Sequence, residues 1–272
     1  MNKIIVAIAL TACAFLKADV YASGSNITMK GSTTVFPISQ KTSETFMQKN
    51  PDINISVQGG GSSVGIASII DGTADIGQSS RPIKTGEIEK AVARSIEPVV
   101  HVIAMDGIAV ITNASNAIND ITTDQIKDIY TGKLSNWQSV GVAGGKIIVV
   151  SRDSSSGTYE AFSSKVLAGA RTRPDSLLQA SNQAVMQTVS TTPGAIGYVG
   201  LGYISDKVKA LKVNGVECSK KNVLTEKYPI SRPLFMYTNG KPKGPVKEYI
   251  DFVLSDEGQS IIEGLGFVRL DK

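Results

Sequence analysis

An arginine and a run of hydroxyl side chains stand together at residues 152–158, whose sequence is RDSSSGT. The planar guanidinium of Arg152 can donate two parallel hydrogen bonds to an oxyanion, and serine and threonine hydroxyls rotate to donate further ones. Ser156, Gly157 and Thr158 fall where a β-branched run gives way to a helical pattern. The start of a helix carries unpaired backbone N–H groups and the positive end of the helix dipole, so this stretch predicts an anion site. Ordinary capping of the helix by a serine or threonine is the alternative.

Two further turns combine glycine and hydroxyl residues at the start of a helical pattern. Residues 31–39 (GSTTVFPIS) and residues 59–70 (GGGSSVGIASII) each follow a strand-like run. Glycine lets the backbone approach a ligand closely, and a helix start favours an anion. We therefore expect the three turns to bind one anion together. The candidate groups in these two turns are Thr33, Thr34, Val35, Ser62 and Ser63.

A catalytic interpretation competes with this one, because residues 61–65 (GSSVG) match the G-x-S-x-G pattern of serine hydrolases with Ser63 as the nucleophile. That chemistry needs a general base, and the single histidine, His101, lies within the apolar run VVHVI, where a side chain is more often packed than catalytic. The sequence contains no G-x-x-x-x-G-K-[ST] phosphate loop and no cluster of metal ligands. The residues predict binding without catalysis, cofactor or metal, and a secreted serine esterase or phosphatase is the alternative.

The order of apolar patterns predicts the fold class. Short β-branched runs alternate with stretches whose apolar residues recur every three or four positions, which is typical of an α/β fold with mainly parallel sheets and helices on both faces. Predicted strands cover 53–58, 74–80, 99–112, 146–151, 194–200, 211–216 and 231–238. Predicted helices cover 37–50, 62–72, 122–132, 157–169, 182–193 and 244–266.

The run 99–112 is unusually long for one strand and carries Asp106 and Gly107 in its middle. A strand that passes from one domain into another has this appearance, and residues 198–210 supply the predicted return crossing. Two lobes joined in this way enclose a cleft, where small ligands usually bind. The predicted lobes are a discontinuous one, residues 24–106 plus 204–272, and an inserted one, residues 107–203.

Residues 1–22 have the pattern of an export signal, with a basic start, an apolar run, and Val20 and Ala22 at the −3 and −1 positions of a cleavage site. Cys13 offers an alternative, because the LTAC segment that contains it also fits a lipoprotein signal. We expect a periplasmic or secreted protein, either free or lipid-anchored. Export leaves Cys218 without an intramolecular disulfide partner. The lysines and arginines are scattered along the chain, which argues against a nucleic-acid partner.

These motifs resemble those of the periplasmic phosphate-binding proteins that serve phosphate ABC transporters, the PstS family. The resemblance implies the two-lobed periplasmic-binding-protein fold of type II, with a two-strand hinge between two sheets and one dehydrated phosphate in the cleft. It also implies delivery of phosphate to the membrane permease subunits of the transporter, and we expect the protein to be a monomer. The matching segments are 31–35 (GSTTV), 58–63 (QGGGSS), 75–82 (DIGQSSRP), 129–137 (IYTGKLSNW), 152–158 (RDSSSGT), 194–199 (GAIGYV) and 251–268 (DFVLSDEGQSIIEGLGFV).

The resemblance assigns phosphate ligands residue by residue, and one position departs from the family pattern. The family places an aspartate that accepts the proton of phosphate where this sequence has Ser80. Trp137 belongs to a structural signature, and we interpret it as a packing residue. The matched ligands are Thr34, the backbone of Val35, Ser62, Arg152, Ser156, Gly157 and Thr158.

A proton acceptor matters because phosphate keeps a proton at neutral pH and sulfate does not, so a buried carboxylate favours phosphate. We hypothesise that Asp106 supplies this acceptor, because a carboxylate among the apolar residues of VIAMDGIAVI is otherwise costly. A hinge carboxylate that binds backbone amides is the alternative. Ser80 could donate or accept at the same oxygen, and Arg81 could pair with Asp106 or lie outside the site. A binder of another tetrahedral oxyanion, such as sulfate, would share nearly every donor and stays open.

Overall fold

The computed structural model describes residues 24–270. The predicted export signal and the lipidation candidate Cys13 lie outside those residues. Within the described range, no helix has the length and apolar character needed to cross a membrane. Strands and helices alternate along the chain, which confirms the predicted α/β class.

The described strands and helices have the following bounds. The strands are β1 (Ser25–Gly31), β2 (Ile53–Gly59), β3 (Ile76–Ser79), β4 (Pro98–Asn113), β5 (Asp120–Ile121), β6 (Ile148–Arg152), β7 (Leu177–Gln179), β8 (Ala195–Gly200), β9 (Val208–Ala210), β10 (Lys212–Val213) and β11 (Ser231–Asn239). The helices are α1 (Phe36–Lys49), α2 (Ser62–Ile70), α3 (Thr85–Val92), α4 (Thr123–Thr131), α5 (Gly157–Phe162), α6 (Asn182–Thr191), α7 (Lys220–Leu224), α8 (Gly244–Leu254) and α9 (Asp256–Gly264).

The long strand β4 is the centre of the main sheet, whose strand order is β2-β1-β3-β11-β4-β8-β6-β7. Its residues 98–107 pair antiparallel with β11, and its residues 108–112 pair antiparallel with β8. The outer pairs are parallel: β1 with β2 and β3, and β6 with β7 and β8. The predicted strand over 99–112 is therefore confirmed, and it connects the two ends of the sheet.

Buried apolar side chains form two large clusters, one around each half of this strand. One cluster joins α1, α8 and α9 to β1 and β11, and a smaller cluster adjoins α2. The other joins α4, α5 and α6 to β6, β8 and the second half of β4. We name residues 24–106 and 231–270 lobe I, and residues 107–230 lobe II, because nearly all members of each cluster fall within these ranges.

The segment 208–230 packs with lobe II, although the predicted boundaries place it in the other lobe. Its side chains Val223 and Tyr228 belong to the lobe II cluster, and Tyr228 donates a hydrogen bond from its hydroxyl to the carbonyl of Ile108 at 3.0 Å. The strand β9 pairs with the lobe II end of β4. This packing favours a return into lobe I at β11 instead of at 198–210, while the two-strand hinge stays a prediction.

Local signals explain two smaller differences from the predicted elements. The predicted helix over 244–266 is two helices, because Ser255 has extended backbone (ψ 165°) and accepts a hydrogen bond from the N–H of Gly258 at 3.2 Å, which starts α9. The short helices α3 and α7 were not predicted. Trp137 packs inside lobe II and donates from Nε1 to the carbonyl of Gly194 at 2.9 Å, which confirms its interpretation as a packing residue.

Candidate functional site

The three glycine and hydroxyl turns meet between the lobes. The N–H of Ser63 donates to the carbonyl of Ser155 at 3.1 Å, and the hydroxyl of Ser155 donates to the carbonyl of Gly60 at 3.0 Å. The hydroxyl oxygens of Thr34 and Thr158 are 2.9 Å apart. Each of these contacts joins lobe I to lobe II, so the turns lie on facing walls of one closed cleft.

The close approach of the walls requires a glycine at the start of α2. Gly61 precedes this helix with φ 98°, in the region that side chains disfavour. A Cβ at Gly61 would also lie 2.5 Å from the carbonyl oxygen of Ser155. The second turn therefore needs a glycine at position 61, because the backbone of the opposite lobe occupies the space that a side chain would take.

The first turn of α5 supplies backbone donors. Ser156 caps this helix, because its Oγ accepts a hydrogen bond from the N–H of Tyr159 at 3.2 Å. The capping alternative therefore holds for Ser156, and it coexists with a ligand role for its neighbours. Gly157 and Thr158 follow it, and N–H groups in a first turn have no intrahelical acceptor. All three residues are buried, so these donors are held in a dry site suited to an anion.

The turn over residues 31–35 contributes Thr34 and Val35, which lie directly before α1. Both residues are fully buried. Their N–H groups lie 3.2 Å and 3.4 Å from Oγ of Ser32, which are long distances for hydrogen bonds. The N–H groups of Thr34 and Val35 therefore form only weak hydrogen bonds within the protein and can donate to a ligand.

Arg152 holds one end of its guanidinium against lobe II and leaves the other end without a partner. Nε donates to the carbonyl of Gln179 at 2.9 Å, and one Nη donates to the carbonyl of Ala180 at 3.0 Å. The second Nη is buried and has no hydrogen-bond partner in the protein. Burial lowers the pKa of Arg152, yet an arginine stays charged in proteins. A buried cationic donor without an acceptor is costly unless an anion binds it.

Asn182 and Arg232 bind the threonine hydroxyls of both lobes. Nδ2 of Asn182, the first residue of α6, donates to Oγ1 of Thr33 at 3.1 Å and to Oγ1 of Thr34 at 3.0 Å. One Nη of Arg232, on β11, donates one hydrogen to Asp106 and shares the other between Oγ1 of Thr158 at 3.0 Å and Oγ1 of Thr34 at 3.3 Å. Both residues are buried, so these contacts are shielded from water.

Asp106 and Arg232 form a buried ion pair where β4 and β11 lie side by side. Oδ2 of Asp106 accepts from Nε of Arg232 at 3.0 Å and from its Nη at 2.9 Å, and Oδ1 accepts from the N–H of Leu201 at 2.9 Å. Burial raises the pKa of Asp106, and the guanidinium of Arg232 opposes that rise. One oxygen of Asp106, Oδ1, therefore binds a backbone amide, as the hinge alternative for this residue predicted. Its role as a proton acceptor stays a prediction.

Sequence reasoning missed Arg232 and Asn182. The signal for Arg232 was available, since the argument that singled out Asp106 also applies to an arginine in the run SRPLFMYT. The strand register places Arg232 directly opposite Asp106. Asn182 carries no comparable signal, because an asparagine near a helix start is ordinary in any sequence.

Ser62 and Ser80 form a hydroxyl pair on the lobe I wall. The N–H of Ser80 donates to Oγ of Ser62 at 2.9 Å, and the two Oγ atoms are 3.3 Å apart. Both side chains are buried. Each hydroxyl keeps freedom to donate or to accept, so this pair differs from the obligate donors of Arg152 and Arg232.

Ser63 and Arg81 lie outside this constellation, at an ionic contact between the lobes. The hydroxyl of Ser63 donates to Glu160 at 3.3 Å and accepts from a guanidinium N–H of Arg81 at 3.0 Å. Arg81 also pairs with Glu87 and with Glu160, both through carboxylate oxygens. The side chain of His101 instead contacts Oγ1 of Thr238 at 3.0 Å, so this histidine is not the hydrogen-bond partner of Ser63.

The fold and the cleft define a class of protein, the two-lobed α/β solute-binding proteins that close over a small ligand. Comparison with known proteins narrows the class. A model of the PBP superfamily domain matches residues 19–257. The phosphate-binding protein PstS of Bacillus subtilis is 37% identical over 254 residues, covering 93% of this chain and 83% of the relative. That of Borreliella burgdorferi is 32% identical and covers 90% of each chain.

Solved structures agree with this placement. A substrate-binding protein from Clostridium perfringens, solved with bound phosphate, superposes with a TM-score of 0.84 at 35% identity and covers 91% of this chain and all of its own. An ABC-type phosphate transport receptor from Vibrio cholerae gives a TM-score of 0.74 at 29% identity, over 90% of this chain and all of its own. The chain belongs to the PBP superfamily and, within it, to the PstS family, as its motifs predicted.

Proposed function

We propose that this protein captures inorganic phosphate in the cleft between its lobes and delivers it to the membrane permease of a phosphate ABC transporter. The observation that carries the proposal is the buried, unpartnered guanidinium nitrogen of Arg152. It lies in the same closed cleft wall as the first turn of α5, and the hydroxyls of Thr34 and Thr158 stand across from one another. A tetrahedral oxyanion supplies acceptors for donors from both lobes at once.

The buried charges of the cleft support an anionic ligand. Arg152 and Arg232 carry two positive charges, and Asp106 cancels one of them. The remaining positive charge is shielded from water, where it is costly without a counter-charge. A bound oxyanion removes this cost, so ligand binding and closure of the cleft favour each other.

The proton of phosphate needs an acceptor, and the cleft offers two candidates. The Ser62 and Ser80 hydroxyl pair can accept or donate, whereas Asp106 can only accept when ionised. A serine pair also tolerates sulfate, because its hydroxyls can turn to donate. Strong preference for phosphate therefore favours Asp106 as the acceptor, and weak preference favours the serines.

Closure of the cleft follows from contacts that only the closed state makes. The bonds of Ser155 with lobe I and the pairing of Glu160 with Arg81 and Lys84 join the lobes directly. A ligand that binds both walls stabilises the closed state over the open state by its differential affinity. The permease then receives phosphate from a closed, loaded protein.

The cellular setting of the proposal rests on the N-terminal pattern and on the named relatives. We propose export through residues 1–22 and function in the periplasm or outside the cell, with lipid anchoring at Cys13 as the alternative. The protein acts as a monomer and as a binding protein, not an enzyme. In the range 24–270, His, Cys, Asp and Glu side chains form no group able to hold a metal ion.

Calorimetric titration of the chain from Ser23 onward, stripped of bound anion, tests the proposal. We expect one phosphate per chain, and Arg152→Ala should weaken binding by at least about 100-fold because it removes a charged donor. Arg171→Ala, which removes an exposed arginine of the same lobe, is the control and should bind normally. Equal binding of Arg152→Ala and the parent protein would overturn the site.

Two further titrations separate the alternatives. Equal affinity for sulfate would identify a general binder of tetrahedral oxyanions. Turnover of a chromogenic phosphate or carboxylate ester that is lost in Ser63→Ala would identify an enzyme instead.

A further inference from the structure

A groove with a volume of about 400 Å³ lies beside the start of β11 and is lined by both lobes. Lobe I contributes residues 80–84 and 231–233, and lobe II contributes four residues between 160 and 165. We name it the hinge-side groove, because β11 is the strand on which the chain returns to lobe I. Since the two walls belong to different lobes, the groove has this shape only while the lobes are closed.

The lining of the hinge-side groove is largely apolar. Pro82, Ile83 and Pro233 line it from lobe I, and Ala161 lines it from lobe II. A proline has no backbone N–H, so the two prolines offer no backbone donor. The N–H of Ile83 is also occupied, because it donates to the hydroxyl of Tyr237 at 3.0 Å. Binding sites for small molecules combine an apolar lining of this kind with a few polar groups, have volumes of about 300–1,000 Å³, and often lie between domains.

The charged groups of the lining leave one positive charge over. All but one of them form ion pairs, which are Arg81–Glu87, Lys84–Glu160 and Arg232–Asp106. The exception is Lys165, which is exposed in the π-helical turn Ser163–Leu167 and forms no ion pair with any residue that the structure describes. A ligand with one negative charge would therefore complement the groove.

Ser80 and Arg232 separate the hinge-side groove from the anion cleft, because both residues line the groove and also belong to the cleft. An Nη of Arg232 donates to the carbonyl of Ser80 at 3.0 Å, which closes the wall between the two spaces. A molecule in the groove contacts both lobes without entering the cleft. It favours the closed state by its differential affinity for that state.

We propose that the hinge-side groove is a second ligand site, which binds a small molecule with an apolar body and one carboxylate and thereby stabilises the closed protein. Phosphate in the cleft favours the same closed state, so each ligand should raise the affinity for the other by the same factor. The coupling to phosphate rests on the proposed function, whereas binding in the groove does not.

Calorimetry with 2-naphthoate tests the site, because this probe has an apolar body and one carboxylate. Its neutral counterpart, 2-naphthalenemethanol, tests the contribution of the charge. The protein is the chain from Ser23 onward, saturated with phosphate. We expect one naphthoate per chain and weaker binding of the alcohol. In saturating naphthoate, the affinity for phosphate should rise about fivefold or more, the usual scale of coupling between two sites.

Two variants locate the probe. Ser164→Phe adds a large side chain at an exposed position of the groove, so it should abolish naphthoate binding and the effect of naphthoate on phosphate. Lys165→Gln removes the unpaired charge and should weaken naphthoate binding about two- to fivefold, the worth of an exposed ion pair. Lys212→Gln is the matched control, because it removes an exposed lysine of lobe II that does not line the groove. All three variants should bind phosphate normally when naphthoate is absent.

Three results would overturn the proposal. The first is a phosphate-loaded parent protein that does not bind naphthoate. The second is naphthoate binding that Ser164→Phe and Lys165→Gln leave unchanged, which would place the probe elsewhere on the protein. The third is a fall in phosphate affinity as naphthoate is added, which would place the probe in the anion cleft. A parent protein that binds no phosphate contradicts the proposed function instead, and the groove is then tested by comparing naphthoate binding to the parent and to the two variants.

Discussion

Gly157 of lobe II faces Ser62 of lobe I so closely that a Cβ at Gly157 would lie 2.2 Å from the Ser62 hydroxyl oxygen and 2.9 Å from that of Ser80. Both distances are shorter than any ordinary contact of a Cβ, and the neighbours are short, buried side chains with little room to move. The closed cleft therefore depends on the missing side chain of one residue.

Gly157→Ala should weaken phosphate binding by about 10- to 100-fold, because the added methyl overpacks the closed cleft and favours the open one. The open protein has no such clash, and alanine suits the helix α5 better than glycine, so the free energy of unfolding without ligand should not fall. Calorimetry and urea denaturation measure the two effects. Gly145→Ala is the control, since a Cβ there meets no atom within 4 Å. Normal phosphate affinity in Gly157→Ala would mean that phosphate binds without this closure.

Asp106→Asn should lower the free energy of unfolding by about 3–5 kcal/mol, because it leaves the buried guanidinium of Arg232 without a counter-charge. Replacing both members of the pair, as Asp106→Leu with Arg232→Met, should recover much of this loss. Urea denaturation of the single and double variants checks the expectation. Equal loss in both would show that the charges of the pair do not determine the effect.

The same Asp106→Asn variant should bind phosphate less tightly and distinguish it less from sulfate if Asp106 accepts the phosphate proton. Parallel titrations with the two anions measure the ratio of the phosphate affinity to the sulfate affinity. If this ratio is unchanged in Asp106→Asn, the Ser62 and Ser80 pair would be the acceptor of the phosphate proton.

Glu160→Gln should speed the release of phosphate several-fold, because it removes an ionic contact that only the closed state makes. Glu160 lies 3.0 Å from Nε of Arg81 and 2.5 Å from Nζ of Lys84, both on the other lobe. A partly exposed ion pair contributes about 0.2–1 kcal/mol, which sets the scale of the effect. Stopped-flow measurement of phosphate release is the assay, and added salt should reduce the difference. Asp251→Asn, which removes an exposed pair with Lys247 inside lobe I, should leave the rate unchanged.

The ion pair between Arg81 and Glu87 should make stability fall in acid. Burial acts to raise the pKa of Glu87, but hydrogen bonds from Arg81 and from the N–H of Lys84 outweigh it, and the pKa lies below its ordinary value of 4.5. The carboxylate therefore stabilises the folded state above that value, and this contribution is lost as the pH falls through the lowered pKa. Glu87→Gln can keep the hydrogen bond that caps α3 and loses only the charge. The stability gap between the parent and Glu87→Gln should be widest at neutral pH and should close in acid, and a constant gap would contradict this expectation.

Local sequence patterns were sufficient to find most of the candidate site. The turns that contain Thr34, Ser62 and Thr158 combine glycine, hydroxyl residues and a helix start within a few positions, and Arg152 stands beside one of them. Such features act over short distances along the chain, so a single sequence displays them. The long strand β4 was also visible, because its apolar run exceeds the length of an ordinary strand.

Pairings between distant segments were the part that the sequence did not reveal. Arg232 acquires its role from the register of β11 against β4, which brings it to Asp106 from 126 positions away. The difference between the predicted lobe of residues 208–230 and the side chains they pack against has a related cause. Their apolar residues occur in short runs that fit either core, and contacts with distant residues, such as the pairing of β9 with β4 and the hydrogen bond from Tyr228 to Ile108, distinguish the two.

The position of β11 between β3 and β4 has a consequence for the order of folding. Lobe II is one continuous segment, so it can fold as soon as residues 107–230 are free to collapse. The sheet of lobe I has a gap at its centre until residues 231–239 arrive from the far end of the chain, and contacts over such long separations form slowly. Arg232 is carried by that last strand. The ligand-binding site is therefore expected to be completed in the final step of folding, and phosphate should stabilise the finished protein without assisting the earlier steps.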